Sequence, residues 1–169
     1  MTAVGQVKRA VAAAIKAAGC AAIESYSEEQ LKRYATAVAA VGTKETAIEE
    51  SGAAQYLGEK VDEATQETVS VYGRKMLLTL LIEVYAPRTL GAAGCEKAAE
   101  AVTQALMTAL PEGLKLGSLQ WGKTGWDKTT GMFRLDASAK YAAYFVAEAA
   151  EDETVFTDFV LKGTVKERE

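Results

Sequence analysis

The sequence predicts one α+β domain over residues 1–169, a mainly antiparallel sheet with an N-terminal helix and a second helix at about 91–109 packed on one face. Three observations carry this expectation. Residues 3–18 and 91–109 repeat apolar side chains every three or four positions, the period of a helix with one buried side. Residues 75–85 and 132–148 alternate at every second position, the period of a strand. The strand runs gather in the second half instead of alternating with helices, and neither an internal repeat nor a linker composition divides the chain.

Each element follows from its residues. Val4, Val7, Val11, Ile15 and Ala18 form the stripe of the first helix, with Gly19 as its stop. Ser27 before Glu28, Glu29 and Gln30 marks a short helix over 28–33, since a hydroxyl cap and acidic first-turn residues satisfy free amides. Tyr34 to Val41 fits a helix by its alanines or a strand by Val38, Val41 and Thr43; a strand ending at Gly42 is the preferred reading. The polar stretch from Glu45 to Thr68 reads as an irregular loop. Thr68 to Pro87 reads as a long extended stretch, broken near Tyr72-Gly73 and ended by Pro87, with Met76, Leu78, Leu80, Ile82 and Val84 on its apolar face. Ala92, Cys95, Ala98, Ala99, Val102, Ala105, Leu106 and Ala109 form the stripe of the second helix, closed by Pro111 and Gly113. A strand at 114–121, a glycine-rich connection from Gly122 to Gly131, a long strand from Met132 to Glu148 and a final strand from Val155 to Val165 complete the order.

Composition excludes several classes. Hydrophobic residues at 49% and charged ones at 25% belong to a globular chain and not to a disordered one. No run approaches the roughly 18 apolar residues that a spanning helix needs, so no membrane association is expected. Lys8 and Arg9 precede valines spaced for a helix face, not the apolar core of an export signal, so the protein is expected to stay where it is made. Cys20 and Cys95 read as buried thiols in a reducing compartment. A net charge of −4 gives no electrostatic reason to bind nucleic acid. The acidic residues gather mildly at Glu148, Glu151, Asp152 and Glu153.

The chemistry-bearing residues point away from catalysis. The chain has no histidine, which removes the commonest general base and metal ligand and every Ser-His-Asp or Cys-His arrangement. Two isolated cysteines make no zinc site, and the glycines at 91, 94 and 122–131 do not form a phosphate-binding fingerprint. Neither a cofactor, a metal nor enzymatic activity is expected. The better features are contacts. Trp121 and Trp126 flank Gly122-Lys123-Thr124-Gly125, with Asp127 following. They read either as a hairpin whose tip is covered by its own indoles, with Asp127 bonding the turn, or as a projecting hairpin that docks on another subunit. Tyr56 and Leu57 stand out in the polar loop as further interface candidates. Residues 132–148 far exceed the usual strand length of about 5–6 residues, and exposed strand edges invite pairing with another chain.

Several segments resemble proteins of phage tail modules from Firmicutes prophages. They are Tyr56-Leu57-Gly58-Glu59, Tyr72-Gly73 leading into Lys75 to Pro87, Gly91-Ala92-Ala93-Gly94-Cys95-Glu96, Gly122 to Phe133, and Phe156-Thr157-Asp158-Phe159-Val160-Leu161-Lys162-Gly163. Over roughly residues 20–166 the phrasing and element order are similar to tail terminators. The resemblance implies a non-enzymatic homo-hexameric ring at the head-proximal end of the tail tube, which stops tube polymerisation and meets the head–tail connector protein. Its implied partners are further copies of itself, the tail-tube protein and the connector. Its implied places are the host cytoplasm during assembly and then the virion tail. Residues 45–68 and 122–131 and the N-terminal helix are the regions it offers for these contacts. A connector or tail-tube subunit, and a host module binding a small molecule or peptide beside Trp121 and Trp126, are the alternatives.

Overall fold

Val7, Val11 and Ile15 stand at helical spacing and are fully buried, and this stripe seats the first helix, α1 (Ala3–Ala17), on a sheet. The computed structural model describes residues 3–50, 55–111 and 113–148. Gly19 adopts a left-handed φ of 86° and turns the chain into the short edge strand β1 (Ala21–Ile23). Ser27 then caps the one-turn helix α2 (Glu28–Leu31) by accepting from the Gln30 amide, while Lys32 and Arg33 pair with Glu28 and Glu29 one turn back. The strands β2 (Val38–Glu49), β3 (Tyr56–Val61) and β4 (Thr68–Pro87) follow. Helix α3 (Gly91–Thr108) leads on to β5 (Lys115–Trp121), β6 (Gly125–Asp127) and β7 (Met132–Glu148).

All seven described strands share one sheet, in the order β1-β2-β4-β7-β5. β3 extends the β2 side of β4, and β6 extends the β5 side of β7. β4 and β7 pair without interruption from Val71↔Glu148 to Pro87↔Met132, forming a spine with the other strands on its two sides. β1 runs parallel to β2 and all other pairs are antiparallel, so the α+β expectation holds with a sheet that is mixed.

The two long helices cover one half of one face. Met76, Leu78, Leu80, Ile82 and Val84 of β4 are buried there with Leu135, Ala137, Ala139 and Tyr141 of β7. Cys95, Ala98, Ala99, Val102 and Leu106 of α3 come down on them, and α1 packs beside α3 over β2. Gly94 lets α3 sit close: a Cβ at that position would stand 3.4 Å from the Ala86 Cβ and 2.6 Å from the Leu90 Cβ. On the opposite face α2 closes a smaller core of Ile23, Leu31, Val38, Ala40, Tyr85 and Met132. The rest of the sheet extends past the helices as an arm. Burial records the division, since β2 is buried from Val38 to Val41 and largely exposed beyond Gly42.

The structure corrects three expectations, two of them on the arm. Residues 45–68 are not a loop: β2 continues through Gly42 to Glu49, β3 occupies Tyr56–Val61, and Asp62 to Glu67 make a tight turn back into β4. Among the described residues no layer packs over this part of the sheet, so its strands need no continuous apolar face and the period of two is faint. β4 is also unbroken at Tyr72-Gly73, because Tyr56 on one side and Ala147 on the other hold Tyr72 in register. The strand after α2 begins at Val38, not Tyr34, whose amide instead bonds the Leu31 carbonyl. Smaller shifts move the end of the short helix to Leu31, the start of β5 to Lys115, and place β6 inside the 122–131 connection. The final strand expected at 155–165 lies outside the described residues, as do Glu151, Asp152 and Glu153.

One core side chain carries an unmet polar group. The Tyr141 hydroxyl is buried without a hydrogen-bond partner among the described residues, and burial pushes its pKa well up. Tyr141→Phe removes that unpartnered group while keeping the ring, so its thermal unfolding is expected to show stability equal to wild type or higher by about 1 kcal/mol. A loss of similar size would mean that the hydroxyl has a partner.

Candidate functional site

The five interface candidates fall at two separated places on the sheet. Tyr56 and Leu57 lie in β3 on the arm, where Tyr56 pairs with Tyr72 and hence stands one strand from Ala147 of β7. Trp126 pairs with Phe133 near the other end of β7. At a rise of about 3.3 Å per residue the two places are about 45 Å apart. They cannot form one site within a subunit.

On the arm, the Tyr56 and Tyr72 rings meet edge-on with centroids 5.7 Å apart. Leu57 is the extra residue of a bulge, because the register skips from Tyr56↔Tyr72 to Gly58↔Val71. Tyr56, Ile48 and Val61 are all exposed on this part of the sheet. The outer sides of β2 beyond Ala40 and of β7 beyond Ala142 have no strand partner among the described residues.

At the other end the two indoles play unlike parts. The Trp121 Nε1–H donates to Thr103 Oγ1 of α3 at 2.9 Å, which ties β5 to the helix, and the residue is half-buried. Trp126 is 45% exposed and packs edge-on to Phe133 at 5.1 Å. Asp127 builds the turn into β7. Its carboxylate accepts from the amides of Thr129 and Thr130 and from the Thr130 hydroxyl, the last at 2.6 Å, while Gly131 closes the turn at φ 66°. The hydrogen bond from the Thr130 hydroxyl, helped by the two amides, holds the Asp127 carboxyl below the ordinary carboxylate range. A lowered pKa stabilises the fold above the unfolded value and loses that contribution as the pH falls through the folded one. Asp127→Ala is therefore expected to cost about 1 kcal/mol at neutral pH, measured by chemical denaturation, and to cost little in strong acid. An equal deficit at both pH values would refute the carboxylate as the cause.

Between α3 and β5 runs an open groove of about 610 Å³ with a mainly apolar lining. Thr103, Trp121 and Leu135 line it, Glu96 and Glu100 flank it along the helix, and Met107 stands over it at 73% exposure. Sequence reasoning overlooked Met107. The available signal was an apolar side chain on α3 outside its own buried stripe. It also overlooked the ion cluster that Arg134 and Asp136 form. Arg134 in fact donates to Glu83 at 2.7 Å and to Asp136 at 2.6 and 2.8 Å, and the buried Tyr85 hydroxyl donates to Glu83. Burial raises the Glu83 pKa and Arg134 opposes it.

Among the described residues no three His, Cys, Asp or Glu side chains group as a metal site. Cys20 and Cys95 are buried free thiols. Burial pushes both up, Cys95 to about 11, so neither is poised as a thiolate. No described helix is long and apolar enough to cross a membrane. No protein-family model matches the chain, and no curated protein shows a significant match to it.

Proposed function

We propose that this chain is a structural subunit of a bacteriophage or prophage tail: a tail terminator that closes into a hexameric ring on the head-proximal end of the tail tube, stops its growth and presents a surface to the head–tail connector protein. The reading makes the chain a non-enzymatic assembly protein, working in the host cytoplasm and then in the virion. The observation that carries it is the arm. β4 and β7, of 20 and 17 residues, run past the helical cover and, among the described residues, leave two unlike strand edges, on β2 and on β7, at opposite sides of one subunit. Two different edges on opposite sides favour head-to-tail contacts, which close into a ring when the rotation allows and otherwise grow as a filament. The exposed Tyr56, Ile48 and Val61 supply apolar surface on the same arm.

Light scattering across protein concentration tests the closed ring. The expected result is a mass that climbs to six copies and stops. Growth without a plateau would favour the tail-tube subunit, the alternative that uses the same two edges in an open polymer. A strict monomer at every concentration would contradict self-closure.

A further inference from the structure

The helical layer carries a contact pair of its own, distinct from the strand edges of the arm. Its first half is the groove beside α3. Glu96 and Glu100 lie on its helical side, and neither is in an ion pair among the described residues. Thr103, Trp121 and Leu135 make its floor, and Met107 leaves most of its surface to solvent. An exposed methionine and a half-buried indole beside two carboxylates without an ion pair among the described residues have the makings of an apolar anchor with a charged rim.

Its second half is the outer flank of α1, which bears Arg9, Ala13 and Lys16, all exposed. The helix contains three basic residues and no acidic one. Its orientation is set by Arg9, which reaches Glu24 just beyond β1 at 3.6 Å. β1 is the sheet edge on the β2 side, so this flank faces away from α3. The groove lies on the other side of α3, toward β5 and the opposite sheet edge. Basic flank and acidic groove therefore occupy opposite sides of one helical layer. Neither can reach the other within a subunit, and each can meet its counterpart on the next subunit of a head-to-tail array.

We propose that the groove between α3 and β5 receives the Arg9–Lys16 flank of α1 from a second copy of this chain, with Glu96 and Glu100 facing Arg9 and Lys16 and with Met107 and Trp121 packing against Ala13. The proposal rests on the ring reading and names the helical contact that closes it. Ala13 allows a helix backbone to approach the indole, while the charge pairs at the solvent-exposed rim set orientation and partner choice. The apolar floor supplies most of the hold.

Charge reversal tests it on the full chain. Glu96→Lys with Glu100→Lys, and separately Arg9→Glu with Lys16→Glu, change exposed side chains, the second pair also breaking the exposed Arg9–Glu24 contact, and circular dichroism checks that each variant remains folded. Each pair is expected to raise the concentration at half-assembly by about tenfold or more. Combining all four reversals in one chain is expected to restore it to within about threefold of wild type, because the charges again oppose. Met107→Glu is expected to weaken assembly in every background. If wild type assembles and the reversals assemble equally well, or if the combined variant is no better than either pair, the contact is wrong while the ring stands. If wild type never leaves the monomer, the contact and self-closure fall together.

Discussion

Replacing Leu80 by alanine is expected to lower the unfolding free energy by about 3–4 kcal/mol. Leu80 is fully buried in the middle of β4, with Thr43 beside it on one strand and Ala139 on the other. It belongs to the core that α1 and α3 cover. Its neighbours there are largely alanines and valines, which have little side chain to move into a vacated space, and α3 already sits close to the sheet at Gly94. The cavity should persist instead of collapsing, which places the cost in the upper part of the usual range for such truncations. Urea denaturation measures it. A loss below about 1 kcal/mol would mean that the helices do not pack on β4 as described.

The second large effect is expected on the opposite face. Arg134→Met should destabilise by about 2–3 kcal/mol at neutral pH, because it leaves Glu83 buried without its cation. Glu83 is only 7% exposed and Arg134 reaches it at 2.7 Å. Arg134 is itself partly exposed, which tempers the cost relative to a wholly buried pair. The pH dependence identifies the cause. Burial already raises the Glu83 pKa, and losing Arg134 raises it further. A carboxyl with a raised folded pKa binds its proton more tightly in the native state, so its contribution is full at low pH and is lost as the pH rises through that folded value. The deficit of Arg134→Met relative to wild type should therefore shrink on acidification and widen toward neutral pH. Adding Glu83→Gln should recover a large part of it at neutral pH. A deficit that stays constant with pH would locate the damage in lost packing.

What could be read in the residues follows from where a second layer exists. Under α1 and α3 every second residue of β4 and β7 must be apolar, so the alternation from Met76 to Val84 and from Phe133 to Ala143 is strong, and both strands stand where the pattern puts them. The same holds for α1 and α3, which end within a residue of their expected limits, although Ala18 and Ala109, expected in their stripes, are exposed just past the helix ends. Where the sheet runs out beyond the helices the constraint lapses. Lys44, Glu45, Thr46, Ala47 and Glu49 carry no buried face, and their strand conformation is dictated by backbone pairing with β4, which no local pattern announces. Tyr72-Gly73 looked like a break for a related reason. A glycine weakens a strand considered alone, but Gly73 lies in register with Val146 of β7.

The contact residues were legible as types and not as places. Asp127 was open to both a turn role and a docking role, and its three hydrogen bonds give it the turn role. Trp121 divides between the two, fastened to Thr103 yet lining the groove. Tyr56 and Trp126 are exposed aromatics at remote places, a separation set by the length of β7, which shows only once the register is known. The ion cluster was hidden because Glu83 lies on β4, distant in sequence from Arg134 and Asp136 on β7.

The most direct measurement of the central claim is the length distribution of tail tubes assembled from a tail-tube protein, the partner that the proposed function gives this chain, imaged by negative-stain electron microscopy with increasing amounts of this chain. The account predicts that substoichiometric protein shortens and narrows the distribution, with a ring of added density at one end of each tube. Tubes of unchanged length with bare ends, or with the chain incorporated along their walls, would contradict it.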